Sequence, residues 1–169
     1  MSKRTLILLR HARSDWADAD LSDFDRPLAE RGVRDGREFG AHLAAELPVP
    51  DRVLCSTARR ARDTLAFLFG ELVDPRHVVY GDCLYHADAL RLLDAIRGVG
   101  DEVRTLMLVG HNPGLTDLLD LLVAPGTPAI DNLPTLGVAT FRVTEPFSEL
   151  DPGSARLTRL LRPKDDAAG

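Results

Sequence analysis

Apolar positions along this chain fall into short runs separated by longer stretches of mixed polarity. The short runs, at 5–9, 52–55, 77–80, 105–109, 138–143 and 155–160, are rich in the aliphatic and β-branched residues of buried strands. Four stretches, at 28–47, 58–72, 89–97 and 115–122, repeat their apolar residues at helical spacing. In the first of these, Val33, Phe39, Leu43 and Leu47 form a stripe that predicts a core-facing surface. Strand and helix thus alternate, the order that builds βαβ units on a mainly parallel sheet, and the expected fold class is α/β. The segment "APGTPAIDNLPTLG", 124–137, holds three prolines and two glycines and reads as a connection, with too little chain after it for a second core. One domain over 1–162 is expected, followed by a flexible tail, "PKDDAAG", at 163–169.

Three of the predicted strands end in the same way. "LILLRH", "RVLCSTARRARDT" and "LMLVGHNPG" each run from apolar residues into His, Ser or Arg at a turn. In an open α/β sheet, ligands bind beyond the carboxyl ends of the strands, so His11, Arg60 and His111 are candidates to share one crevice. Guanidinium forks match the oxygens of phosphate, and a neutral imidazole can attack phosphorus; phosphoryl transfer is the chemistry this set suits. Arg10, beside His11, disfavours a second positive charge and so favours the neutral ring.

Plainer roles stand beside these. Ser56 reads as a helix cap, and Arg59 has Asp63 one turn on as an ion-pair partner, whereas Arg60 has no such partner and lies near a helix amino terminus that attracts anions. His111 also fits a helix start with Asn112 as cap, Pro113 in the first turn and Gly114 easing the bend. Spacing alone pairs Arg26 with Asp23 or Asp25, and leaves Arg13 open between a substrate contact and a pair with Asp15 or Asp18. His42 and His77 belong to no strand-end cluster and read as structural.

Composition narrows the field. The 169 residues are 44% hydrophobic and 28% charged, an ordinary globular balance, and the net charge of −5 argues against a nucleic-acid partner. Cys55 and Cys83 lack metal-ligand spacing and read as small buried thiols of a reducing, cytoplasmic setting. The opening "MSKRTLILLRH" stops being apolar at Leu9, short of a signal peptide, and nowhere does the chain approach the ~20 apolar residues that cross a bilayer, so no membrane partner is expected. His11, His86 and His111 carry no H-E-x-x-H or paired-Cys spacing, and the nearby arginines would repel a cation; no metal and no cofactor are expected.

Taken together, "LLRHARSDW", "DRPLAERG", "VLCSTARRARDT" and "LMLVGHNPGL", in that order over residues 5 to about 122, resemble the histidine phosphatase superfamily. The length and the "DRPL" and "GHNPG" segments are most similar to its compact SixA-type branch, associated with phosphohistidine on signalling proteins. The resemblance implies a phosphoglycerate mutase-like fold, a mixed sheet flanked by helices. It implies His11 as nucleophile, Arg10 and Arg60 as phosphate clamps, His111 as donor to phosphoryl oxygens, and Arg26 with Asn112 on the substrate-binding side.

Two departures stand out. Ala12 replaces the glycine that usually follows the Arg-His pair, and no Glu stands where phosphomonoesterase members carry their acid; His86 and Asp88 are the candidate acids there, with Asp82 close by. An alkoxide leaving group needs a positioned acid, typically a ~10²–10⁴-fold contribution, whereas imidazole is a far weaker base. The expectation is therefore a metal-independent phosphatase that forms a covalent phosphohistidine on His11 and acts on phosphohistidine of a partner protein. The alternatives are a small-molecule phosphomonoesterase or mutase at the same site, and a phosphate-binding module without catalysis.

Overall fold

The structure, a computed structural model, describes residues 3–163, so the tail expected at 163–169 lies outside the described residues beyond Pro163. Six strands and four helices follow one another as β1 (Arg4–Arg10), α1 (Glu30–Glu46), β2 (Arg52–Ser56), α2 (Arg59–Phe69), β3 (Val78–Gly81), α3 (Ala89–Arg97), β4 (Thr105–Gly110), α4 (Gly114–Leu122), β5 (Val138–Val143) and β6 (Arg156–Leu161). The strands form a single sheet in the order β3-β2-β4-β1-β5-β6. β3, β2, β4 and β1 are parallel, whereas β5 runs antiparallel to both β1 and β6, giving the mainly parallel mixed sheet the alternation predicts.

β1 and β4 lie at the centre, and Leu6 to Leu9 and Leu106 to Val109 are fully buried on both faces, which is why they read as unbroken apolar runs. Side chains alternate across the sheet. Leu6, Leu8, Leu106 and Leu108 pack with residues of α3 and α4; Ile7, Leu9, Met107 and Val109 pack with α1 and α2 on the opposite face. Because β1, β4 and β2 are neighbours running the same way, the turns that leave their carboxyl ends share one edge of the sheet.

The stripe expected on α1 is only partly the one that packs. Leu43 and Leu47 are buried and Phe39 packs against the core, but the rest of the buried face is Gly32, Gly36 and Gly40, with Val33 half-buried outside the core. The reason is close approach: a Cβ on Gly32 would lie 2.2 Å from the Arg13 carbonyl oxygen, and one on Gly40 would lie 2.7 Å from Leu68. α1 begins at Glu30 rather than at 28, because Leu28 is held extended in an antiparallel bridge with Ser14. α2 ends at Phe69, short of 72, where the Gly70 N–H closes the helix on the Ala66 carbonyl. His77 lies in a short 3₁₀ turn opened by Pro75, and β3 starts one residue later.

Cys55 is buried as expected, with its thiol pushed up to about 12 by burial, but Cys83 is exposed, because it sits in the 3₁₀ turn that follows β3 at the sheet edge. The 124–137 connection has no helix or strand, yet Leu133 and Leu136 are buried and tie it to the end of β1. Arg10 donates from Nη1 to the Leu133 carbonyl (3.0 Å), and the Leu136 N–H donates back to the Arg10 carbonyl (3.1 Å). Among the described residues no helix is long and apolar enough to cross a membrane.

Candidate active site

β1 delivers His11 to the shared edge, where the Ala12 N–H bonds the Thr64 hydroxyl (2.9 Å) and that hydroxyl in turn donates to the Arg60 carbonyl (2.7 Å), locking the turn onto α2. His11 is buried, and its Nδ1 lies 2.6 Å from the Ala12 carbonyl oxygen. A carbonyl only accepts, so Nδ1 carries the ring proton and Nε2 presents a lone pair, with the Arg60 Nε 3.4 Å away. Burial pulls the His11 pKa down to about 4; the Ala12 carbonyl opposes this, and the charges of Arg60, Arg10 and Arg26 reinforce it. The ring is therefore neutral at pH 7. The sequence attributes this to Arg10, but burial is the larger cause.

His111, from the turn after β4, has its ring centroid 5.0 Å from that of His11. Its Nε2 is 2.8 Å from the Ser56 hydroxyl, and its Nδ1 is buried without a hydrogen-bond partner among the described residues. Burial and the nearby His11 and Arg60 lower its pKa to about 3. Ser56 differs from its expected role: Ala58 caps α2, and the Ser56 hydroxyl accepts the Ala58 N–H (3.2 Å) while holding His111.

Arg60 and Arg26 are both buried and both meet Asp23. Arg60 donates from Nη1 to the Asp23 carbonyl (2.6 Å) and from Nη2 to its Oδ2 (3.1 Å), so the partner missing from its own helix comes from a distant turn. Arg26 grips Asp23 Oδ1 from Nε (3.1 Å) and Nη2 (2.6 Å), the pair that spacing alone suggests, and donates from Nη1 to the Ser14 hydroxyl (2.8 Å). Its guanidinium carbon lies 3.3 Å from the ring centre of Trp16, which is 75% exposed at the mouth. The Tyr85 hydroxyl donates to Asp23 Oδ2, and the His86 Nε2 is 3.1 Å from the same oxygen. Burial acts to raise the Asp23 pKa, but hydrogen bonds from Tyr85 and Arg26 and the charge of Arg60 outweigh it and hold the carboxyl far below the usual carboxylate range.

Most of these groups line one cavity of about 430 Å³. It brings together Arg10, His11, Arg26, Arg60, His86, His111 and Asn112, and adds Arg13, Ser14, Trp16, Asp23 and Thr135. Asn112 is at the wall with its amide engaged: Nδ2 donates to Asn132 and to the Leu133 carbonyl, and Oδ1 accepts from Thr116. Asp88 is not in the lining; its carboxylate caps α3 by accepting the Arg91 N–H (2.9 Å). Asp82 is likewise outside, bonded to the Thr57 hydroxyl (2.5 Å), and Arg59 pairs with Asp63 on the helix surface as expected. Asp23 and Tyr85 are the contributors sequence reasoning passed over as site residues. Ser22, whose hydroxyl accepts the Asp25 N–H, signals the 3₁₀ turn that carries Asp23, but nothing local signals its contact with a helix 37 residues on.

Among the described residues no group of three or more His, Cys, Asp or Glu is gathered to hold a metal ion. The chemistry on offer is an unprotonated imidazole nitrogen in a cavity lined by guanidinium groups, a combination chemically suited to receiving a phosphoryl group.

Comparison with known proteins places the chain in a family. The profile of the histidine phosphatase superfamily (branch 1) matches residues 6–79. An uncharacterised protein of Mycobacterium tuberculosis is 40% identical over 163 residues, covering 92% of this chain and 100% of the relative. A 2,3-bisphosphoglycerate-dependent phosphoglycerate mutase of Bradyrhizobium diazoefficiens is 40% identical over 74 residues, but these are 43% of this chain and 36% of the mutase. Among solved structures, a candidate phosphohistidine phosphatase SixA from Nakamurella multipartitia superposes with a TM-score of 0.85 at 30% identity, covering 98% of this chain and 99% of the other. With the Arg-His pair, the later Arg and the late His converging at one sheet edge, the chain belongs to the histidine phosphatase superfamily.

Proposed function

We propose that this protein is a phosphatase that passes the phosphoryl group through His11 and takes it from phosphohistidine on a partner protein. The observation that carries the reading is the state of His11: neutral, buried, with its proton held on Nδ1 by the Ala12 carbonyl and its Nε2 lone pair facing Arg60. In the first step Nε2 attacks phosphorus in line and the bond to the leaving group breaks. Arg10, Arg26 and Arg60 balance the charge on the equatorial oxygens. With the Ser56 hydroxyl donating to Nε2 of His111, Nδ1 of that ring carries the proton and, having no hydrogen-bond partner among the described residues, is a further donor for a phosphoryl oxygen. Water then hydrolyses the phosphohistidine on His11. Guanidinium groups carry the positive charge, so turnover needs no metal and persists in a chelator such as EDTA.

The choice of phosphohistidine over an ester rests on the acid. Of the candidate acids, Asp88 is engaged in capping α3, Asp82 lies outside the cavity, and His86, which lines it, has its Nε2 on Asp23, so among the described residues no carboxyl stands ready to protonate an alkoxide. The similarity to mutases is confined to less than half of this chain. The test compares kcat/KM for a protein phosphorylated on histidine with a panel of phosphate esters. The expected result is a preference for the phosphohistidine protein of at least about tenfold; faster hydrolysis of any ester would overturn the substrate class.

A further inference from the structure

We infer that Asp23 selects the leaving group: its carboxylate seats the N–H of an imidazole, which favours phosphorylated histidine over phosphate esters at this site. The inference rests on the reading of the site as a phosphatase.

An anion in an anion site needs an explanation. Of the side chains that line the cavity, Asp23 is the one carboxylate, among Arg10, Arg13, Arg26 and Arg60. Its position beside two guanidinium groups puts it next to where a phosphoryl group would lie, and like charges there repel. A phosphate ester, with a neutral alcohol as leaving group, offers nothing to offset that repulsion. A phosphorylated imidazole in its protonated form does, because the ring nitrogen not bonded to phosphorus then carries a proton and a share of positive charge, and the Asp23 carboxylate favours that protonated form.

The structure holds an imidazole on this carboxylate already. His86 places Nε2 3.1 Å from Asp23 Oδ2, and its ring stacks against Tyr85 with centroids 4.0 Å apart. Tyr85 itself bonds the same carboxylate oxygen, so carboxylate and aromatic ring form one seat that the His86 imidazole occupies. The seat opens toward the site: the His86 ring is 6.1 Å from that of His111, which is 5.0 Å from His11. The His86 side chain is 58% exposed, so a substrate ring can replace it without unpacking the core.

The step then balances without a separate acid. Nε2 of His11 forms its bond to phosphorus as the bond from phosphorus to the substrate ring nitrogen breaks. The electron pair of that bond stays on the substrate nitrogen. A ring already protonated on its other nitrogen leaves as neutral imidazole, its N–H held by Asp23, which neither gains nor loses a proton.

The test is a ratio. kcat/KM is measured for a protein chemically phosphorylated on histidine and for p-nitrophenyl phosphate, with wild type, Asp23→Asn and Asp23→Glu. A hydrogen bond to a charged group lost from one substrate alone lowers the phosphohistidine-to-ester ratio by roughly 10- to 100-fold in Asp23→Asn, and Asp23→Glu restores part of it. A ratio within twofold of wild type, even with both rates reduced, would mean that Asp23 only positions Arg26 and Arg60 and would overturn the inference. The functional reading is judged separately, by wild type alone: an enzyme that hydrolyses the ester and ignores phosphohistidine refutes the substrate class and the selection with it.

Discussion

At the scale of single residues, the chemistry of the site depends on protonation states set by burial. Free histidine titrates near 6.5, where half of a nucleophile population would be lost just below neutrality. Here burial and neighbouring cations move His11 to about 4 and His111 to about 3, so both rings stay neutral across the physiological range. In the free enzyme, the histidine NMR titration should place two rings with midpoints well below 5; midpoints of 6–7 for both would contradict the geometry. Ser56 is the second residue-scale lever, because its hydroxyl meets Nε2 of His111 and so sets which ring nitrogen carries the proton. Ser56→Ala should lower kcat by about tenfold, the size of one weakened charge-assisted hydrogen bond, with little change in KM. A parallel rise in KM with unchanged kcat would show that Ser56 acts on ground-state binding instead.

The chemistry at this scale was partly legible in the sequence. Arg10, His11 and His111 stand where apolar runs end, Arg60 lies in the helix start after another, and Arg26 was marked only by the family resemblance; all five line the cavity. Asp23 was visible only as a local partner of Arg26, because its bonds to Arg60, Tyr85 and His86 span 37 to 63 residues and leave no periodic trace. Asp88 looked like an acid for want of any sign that it would cap α3, although an Asp three residues before an N–H in a first turn is a common cap.

At the scale of elements, small residues decide how tightly the site's loops are held. Gly32 lets α1 touch the Arg13 carbonyl, two residues after the nucleophile, and Gly114 lets α4 touch the Ala87 carbonyl, where a Cβ would lie 2.1 Å away. Both contacts are with backbone, which cannot swing aside. Gly32→Ala and Gly114→Ala should each destabilise the fold by about 1–3 kcal/mol in chemical denaturation, as overpacking does. Unchanged midpoints would mean the helices stand further from these turns than described. The element types followed from apolar period, since the central strands are buried on both faces and the helices on one. The α1 face did not, because glycines carry no hydrophobic signal and only tertiary contact reveals that they pack.

At the scale of the whole molecule, the buried histidines tie stability to acidity. A histidine whose folded pKa is depressed takes up a proton in the unfolded state first, so between about 6.5 and 4 the unfolded chain binds more protons and stability falls as pH falls. Asp23, whose folded pKa is also depressed, adds stability above its unfolded value near 3.8 that is lost on further acidification. Denaturation midpoints should therefore fall from pH 7 to 4, and less steeply when both His11 and His111 are replaced by Gln; a flat profile would refute the burial of the pair. The two helical layers place three strand ends side by side, and that arrangement is what brings residues 49 and 51 positions apart into one cavity.

The central claim is that phosphorus is bonded to His11 during turnover. Rapid acid-free quenching of a single turnover with a ³²P-labelled phosphohistidine protein should leave label on His11, stable to alkali and released by acid, and His11→Ala should show neither label nor turnover. Product formation without enzyme-bound label, or label and turnover that survive in His11→Ala, would contradict it.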